Sequence, residues 1–212
     1  MSIRKKTLKR GTNEWGPIYW YVFHRIALTY DKKVGDGNVS YRRKYQYFYM
    51  NYHAVLPCEV CRKDFKKVLS KNPINRAVLT DSTTLFHWTV ARHNDVNRKL
   101  KRPIFSKERA ENKYIGKPIS HKILDKFMMY LFRNSLRNTN IGIIREYIRI
   151  FRTIYPCEKC RDGLTDIVKK SKNLRAMKTT LIFNSWYTRY KKYFHKTTKK
   201  KKVYSYADFI SL

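Results

Sequence analysis

Apolar residues recur at intervals of three to four along most of this chain, and period-two alternation is rare, so the pattern predicts an all-α fold. Glu14-Trp15-Gly16-Pro17 reads as the opening of a first helix, with Pro17 suited to a first turn and Trp20, Phe23, Ala27 and Tyr30 on its apolar side. Residues 31–38, with Gly35 and Gly37, read as a loop. A second helix is expected over about 40–56, before Pro57 interrupts the pattern, and a third from Cys58 through Leu69, before Asn72-Pro73. Residues 80–84 read as a helix N-terminus capped by Asp81 or Ser82, and that helix runs to about 100, ahead of Arg102-Pro103. Residues 106–119, with Gly116 and Pro118, read as a linker.

The plan then repeats. Residues 121–136 predict an amphipathic helix, 138–142 a loop, and 143–154 a helix leading into Tyr155-Pro156-Cys157-Glu158-Lys159-Cys160-Arg161. The earlier counterpart is Leu56-Pro57-Cys58-Glu59-Val60-Cys61-Arg62, and both contain Pro-Cys-Glu-x-Cys-Arg. A last helix over about 178–194 occupies the place of the 85–100 helix. This points to two related helical halves, 1–110 and 111–212, the second degenerate but retaining its Cys pair.

Composition adds an unusual charge. The chain carries 48 Lys+Arg against 15 Asp+Glu, a formal net charge of +33, with 42% hydrophobic and 15% aromatic residues. The apolar content suffices for a core, so the chain is not disordered by composition. The charge calls for an acidic partner: nucleic acid, an anionic membrane surface or acidic proteins. It is dispersed, with dense runs only at 4–10 and 199–202, which suits general attraction to polyanions better than a shaped groove. No apolar segment follows the basic N-terminus, and no run approaches the roughly 18 apolar residues of a membrane span, so neither secretion nor a transmembrane helix is expected. The 4 cysteines form two CxxC pairs, which excludes a disulfide scaffold of the secreted type.

The chemistry concentrates around the first pair. CxxC at a helix N-terminus suits redox work, because the helix dipole and exposed N–H groups favour the thiolate. The same spacing fits half of a four-cysteine zinc site, and the long interval between the pairs favours the redox reading over zinc. Downstream, Trp88, His93, Asn94, Asn97 and Arg98 gather aromatic, imidazole, amide and cationic groups on one helix. That set suits a large, flat, polar-edged cofactor, and beside a dithiol it suggests flavin–thiol chemistry. Taken singly, Trp15 and Trp20 read as core, His24 as a satisfied core histidine, and Arg98 and Arg102 as solvated surface; only their joint order overturns this. His53 and His87 keep the structural reading.

The residues that carry a resemblance are three motifs in order: Trp15-Gly16-Pro17-x-x-Trp20-x-x-Phe23-His24-x-x-Ala27, then Pro57-Cys58-x-x-Cys61-x-x-x-Phe65, then His93-Asn94-x-Val96-Asn97-x-x-Leu100-x-x-Pro103-x-Phe105. Over about 15–105 the chain resembles the Erv/ALR flavin-linked sulfhydryl oxidases. The resemblance implies a four-helix bundle with a short fifth helix, binding FAD. It implies that Cys61 lies against the flavin as the charge-transfer thiolate and that Cys58 exchanges with incoming dithiols, with O2 reoxidising the flavin to give H2O2. Trp15, Trp20 and His24 are implied to line the cofactor from the first helix, and Trp88, His93, Asn94 and Asn97 to hold its adenine and ring edges. Arg98 and Arg102 are candidates for its pyrophosphate. The chain departs from the family by lacking the extra cysteines of a structural disulfide, by having no N-terminal shuttle CxxC, and by placing Ala91 where some members have His. Packing must therefore hold the fold.

The second half keeps Pro156-Cys157-x-x-Cys160 without His-Asn-x-x-Asn, and is not expected to bind FAD. Cys157 and Cys160 are candidates for a shuttle or a structural disulfide, and the half itself for a built-in substitute for a partner subunit, a pseudo-dimer, with a homodimer as the other arrangement. The Lys/Tyr/Asn-rich, duplicated design resembles a viral member of the family, acting in host cytoplasm or virion on reduced protein dithiols. The competing readings are a basic nucleic-acid-binding protein with a four-cysteine zinc site, since 17 Tyr suit stacking on bases, and a structural virion protein that has lost its flavin.

Overall fold

The computed structural model describes residues 3–137, 141–157 and 161, and every regular element among them is helical, as the apolar periodicity predicts. Two compact units divide the chain, one ending at Phe127 and the other beginning at Met128. The first contains α1 (Ile3–Ala27), α2 (Lys32–Gly35), α3 (Val39–Met50), a 3-10 turn (Tyr52–Val55), α4 (Glu59–Lys71), α5 (Ser82–Lys99) and α6 (Lys107–Tyr114). Four long helices with a short later one match the expected bundle.

Four local expectations are corrected. Helix α1 begins at Ile3, so Pro17 lies inside it and not in its first turn. The preceding residues include Arg4, Lys5, Lys6, Leu8, Lys9 and Arg10, all good helix formers, and Pro17 removes only one backbone hydrogen bond. The helix expected to reach 56 stops at Met50, because the side-chain amide of Asn51 donates to the Tyr47 carbonyl (3.0 Å) and competes with the ladder before the 3-10 turn. The 31–38 loop contains α2, capped by the Asp31 carboxylate, which accepts from the Lys33 and Val34 N–H groups. The 106–119 linker contains α6: Ser106 Oγ accepts from the Arg109 N–H (3.2 Å), and Ala110 and Tyr114, one turn apart, are its buried positions. Two apolar residues are too few to register as a period. Of the two cap candidates for α5, Asp81 serves, its carboxylate accepting from the Thr84 N–H at 2.7 Å.

The core of the first unit is aromatic. Phe23 has Tyr52, Tyr49 and Phe65 edge-on at 4.7, 5.0 and 5.7 Å between ring centroids. The buried tyrosines need partners for their hydroxyls and find backbone carbonyls. Tyr19 donates to Val55 (2.9 Å), Tyr52 to Tyr19 (2.6 Å) and Tyr49 to Phe23 (3.1 Å). These bonds, worth about 1 kcal/mol each, tie α1 to α3 and to the 3-10 turn that leads into the cysteine pair.

Helices α7 (His121–Arg137) and α8 (Ile141–Ile154) follow. In the second unit Leu131, Tyr147, Ile148, Phe151, Ile154 and Tyr155 are buried. The second Pro-Cys-Glu-x-Cys-Arg motif reproduces one backbone bond of the first: Arg161 N–H donates to the Cys157 carbonyl and Arg62 N–H to that of Cys58, both at 2.9 Å. Cys157 is disulfide-bonded. Cys160 and the expected 178–194 helix lie outside the described residues. Among the described residues no helix is long and apolar enough to cross a membrane.

Candidate active site

Cys58 is the N-cap of α4 and Cys61 lies in its first turn, because Pro57 and the extended backbone of Cys58 let the helix start there. The two are joined in a disulfide with Cα atoms 5.1 Å apart, and Cys58 Sγ also accepts from the Cys61 N–H at 3.2 Å. Both are half-buried. Cys61 faces a cavity of about 120 Å³ walled by Trp15, Tyr19 and Trp20 of α1, Tyr52, Leu56, Phe65 and Val68, and Val96, Asn97 and Leu100 at the end of α5. Cys58 is not part of this wall.

A second cavity of about 440 Å³ adjoins the first. Gly16, Trp20, Asn97 and Arg102 border both. Its other walls come from His93 on α5, the Pro103-Ile104-Phe105 segment, and Arg109, Lys113 and Tyr114 of α6. A Cβ added at Gly16 would meet nothing within 4 Å, so glycine keeps the shared wall bare.

The imidazoles beside this cavity have defined tautomers. Thr89 Oγ1 donates to the Phe86 carbonyl (2.6 Å), which leaves it to accept from His24 Nδ1–H (2.8 Å). His24 Nε2, then without a proton, accepts from His93 Nδ1–H (3.0 Å). His93 is left with an unprotonated Nε2, and its ring stacks on Trp20 at 4.0 Å and 9°. Both histidines are neutral. Burial, then the like charge a protonated His93 would add and the charge of Lys113, holds His24 well below the ordinary imidazole range. Burial, then Lys113 and Arg102, brings His93 down to about 4.

The structure therefore brings together Cys61, Trp15, Trp20, His93, Asn97 and Arg102 around the two cavities. It sets the other expected residues elsewhere. His24 is fully buried behind His93. Trp88 packs on Phe23 (6.0 Å) and Tyr49 (5.6 Å) in the core. Asn94 binds the Phe105 backbone in both directions, donating to its carbonyl (2.8 Å) and accepting from its N–H (2.9 Å), and so fixes one cavity wall. Arg98 is exposed and paired with Asp95 at 2.8 Å, turned from both cavities. Helical geometry explains the split: at about 100° per residue His93 and Asn97 share a face, while Trp88 and Arg98 lie roughly 140° from His93. The sequence reading missed Tyr52, Phe105, Arg109, Lys113 and Tyr114. The available signals were the Ser106 cap and the four-residue spacing of Ala110 and Tyr114, which implies that Arg109 and Lys113 also share a face.

The donor set fits FAD. One cavity offers aromatic and aliphatic walls beside a disulfide, as a flat redox-active ring requires; the other offers cations and a hydrogen-bond acceptor, as a phosphate-linked adenosine requires. The zinc alternative finds no support at the first pair, since bonded cysteines offer a metal no thiolates.

Comparison with known proteins agrees. Residues 17–115 match the model of the Erv1/Alr family. An FAD-linked sulfhydryl oxidase of African swine fever virus is 32% identical over 102 residues, 47% of this chain and 79% of that protein. A protein of Acanthamoeba polyphaga mimivirus named as a probable FAD-linked sulfhydryl oxidase is 33% identical over 84 residues, covering 40% of this chain and 57% of its own length. The mitochondrial FAD-linked sulfhydryl oxidase of Saccharomyces cerevisiae is 28% identical over 90 residues, 42% of this chain and 44% of that one. No solved structure matches.

Proposed function

This chain belongs to the Erv1/Alr family, and from that premise we propose how its residues build an FAD-dependent thiol oxidase. The enzyme oxidises dithiols to disulfides, with FAD as cofactor and O2 as final acceptor, giving H2O2. The observation that carries the residue assignment is that Cys61 borders the aromatic cavity while Cys58, at the tip of α4, does not. Cys58 is the exchange cysteine and Cys61 the one beside the cofactor.

A substrate thiolate attacks Cys58 Sγ, the Cys58–Cys61 bond breaks, and its electron pair leaves on Cys61 as thiolate. The second substrate thiolate attacks the mixed disulfide, forming the substrate disulfide and releasing Cys58 as thiolate at the α4 N-terminus, where the dipole and N–H groups stabilise it. The substrate has lost two electrons and two protons, and the enzyme pair has gained the electrons. FAD, when bound, supplies the acceptor for that pair and passes it to O2. Trp15, Trp20, Tyr52 and Phe65 exclude water from Cys61 and flank the ring site. Gly16, which borders both cavities without a side chain, would leave room there for the cofactor. Arg102, Arg109 and Lys113 would hold the diphosphate, and the unprotonated Nε2 of His93 is free to accept a hydrogen bond from the ligand. His24, Trp88 and Asn94 position these groups from behind. Arg98 plays no part.

Cys61→Ser is the direct test: FAD stays bound and dithiothreitol oxidation stops. Loss of FAD with the thiol, or continued oxidation, overturns the assignment.

The same reading includes an FAD-binding half, 1–110, followed by a degenerate helical half, 111–212, acting as a pseudo-dimer partner, in host cytoplasm or virion. Viral relatives support the compartment, and the shared motif supports the duplication. For Cys157, slower oxidation of a protein substrate by Cys157→Ser with unchanged dithiothreitol turnover identifies a shuttle; wild-type rates on both identify a structural pair. A homodimer, and binding of acidic proteins or nucleic acid by the +33 charge, are tested by sedimentation and by salt-dependent binding.

A further inference from the structure

Helix α4 carries an excess of positive charge beside the exchange cysteine. Its two acids are already engaged: Glu59 with Lys63 (3.0 Å) and Asp64 with Lys99 (2.6 Å). Lys66 and Lys67 are exposed and have no acidic partner among the described residues. They stand seven residues beyond Glu59 and Val60, on the same helical stripes, roughly 10 Å along the axis from the helix start. Burial depresses the pKa of half-buried His53, and the charges of Lys66 and then Arg62 add to the shift. Val60, between the cysteines, is 56% exposed and gives this cationic field an apolar contact point.

We propose that this face of α4 docks the protein substrate, and that the substrate is a dithiol segment rich in Asp and Glu, seated with its attacking cysteine at Cys58 and its acidic flank along Lys66 and Lys67. The inference rests on the exchange role assigned to Cys58. Charge complementarity selects this partner: the surplus on the helix is cationic, and the chain as a whole is +33. The physics adds a kinetic reason. Acidic neighbours raise the pKa of a cysteine and starve it of thiolate, and docking against unpaired lysines reverses that shift at the moment of attack. An acidic substrate is thereby a poor nucleophile in solution and a competent one on this surface.

The test compares three dithiols on the FAD-loaded full-length enzyme: dithiothreitol, and two peptides of identical CxxC core, one flanked by Asp/Glu and one by Lys. At low salt the acidic peptide is expected to show kcat/KM about tenfold or more above the basic one, the ratio shrinking as salt rises. The double substitution Lys66→Glu with Lys67→Glu is expected to abolish or invert the ratio without changing dithiothreitol turnover. Equal kcat/KM for the two peptides, or a preference that survives the charge reversal, overturns the proposal. Equal turnover together with salt-sensitive capture of duplex DNA by α4 overturns it in favour of a nucleic-acid surface. Failure to oxidise dithiothreitol would count against the exchange role of Cys58 instead, so the two claims fail separately.

Discussion

The two cavities that meet at Trp20 share Gly16, Trp20, Asn97 and Arg102 and differ in the rest of their lining. The smaller is walled mainly by aromatic and aliphatic side chains against a disulfide, its charged groups being Arg102 and the ion pair of Asp64 with Lys99; the larger adds Arg109 and Lys113 to Arg102, with a neutral His93 between. A site for electron transfer between sulfur and a flat ring gains from excluding water, while a site for a diphosphate gains from cations without intramolecular carboxylate partners. One pair of helices serves both because Trp20 and Asn97 stand on the border, each presenting to both sides. A single cofactor that spanned both cavities would need opposite environments within one small bundle, and a border residue would matter to both.

Substitutions can separate the two sites. The largest effect is expected from Cys61→Ser on the apolar side: oxygen consumption with dithiothreitol falls to background while bound flavin, read from visible absorption, is retained. On the cationic side, Arg102→Ala or Lys113→Ala should leave the disulfide intact and weaken FAD binding by about tenfold to a hundredfold, the 1.5–3 kcal/mol of a charged hydrogen bond. Titration of apoprotein with FAD checks this, and an unchanged Kd would remove the residue from the phosphate site.

The neutral histidines give the apoprotein a pH signature. In the unfolded chain His93 titrates at the ordinary imidazole value near 6.5, and in the folded one at about 4. Its neutral form is therefore a source of stability fully present above about 6.5 and lost as pH falls from there toward 4, where the unfolded state binds a proton that the folded state refuses. His24, also depressed, acts in the same direction. Urea unfolding across that window should show the loss, on the order of 3 kcal/mol for His93. His93→Gln should flatten the dependence; an equally steep profile in that variant would contradict the assignment.

Smaller effects sharpen the contrast within α5. Asn94→Ala strands the Phe105 N–H and carbonyl and should cost about 1–3 kcal/mol of stability by denaturant melting. Arg98→Ala, losing one exposed ion pair with Asp95, should change stability by less than about 1 kcal/mol and FAD affinity not measurably.

How much of this was legible in the chain follows from the same helix. That Cys61, Trp20, His93 and Asn97 would lie near one another was read from motif order and spacing, and the structure sets all four on the cavity walls. Trp88, Asn94 and Arg98 belong to the same run of polar and aromatic types, but residue type does not say which way a side chain turns; five residues rotate it by roughly 140°. Helix α6 was invisible for a different reason. Its burial rests on Ala110 and Tyr114 alone, so a helix that brings Arg109 and Lys113 to the cavity reads as a polar linker. The tyrosine-to-carbonyl bonds that stand in for an extra disulfide were equally hidden, since they join residues 26 to 36 positions apart.

The central claim is that Cys61 and the aromatic cavity form one redox site with FAD. It is tested most directly by the visible spectrum of the purified full-length protein, before and after dithiothreitol is added in air-saturated and in oxygen-free buffer. The account predicts a flavin spectrum that bleaches without oxygen, recovers when air is admitted, and does not bleach in Cys61→Ser. A colourless protein, or flavin that bleaches equally well in the variant, would contradict it.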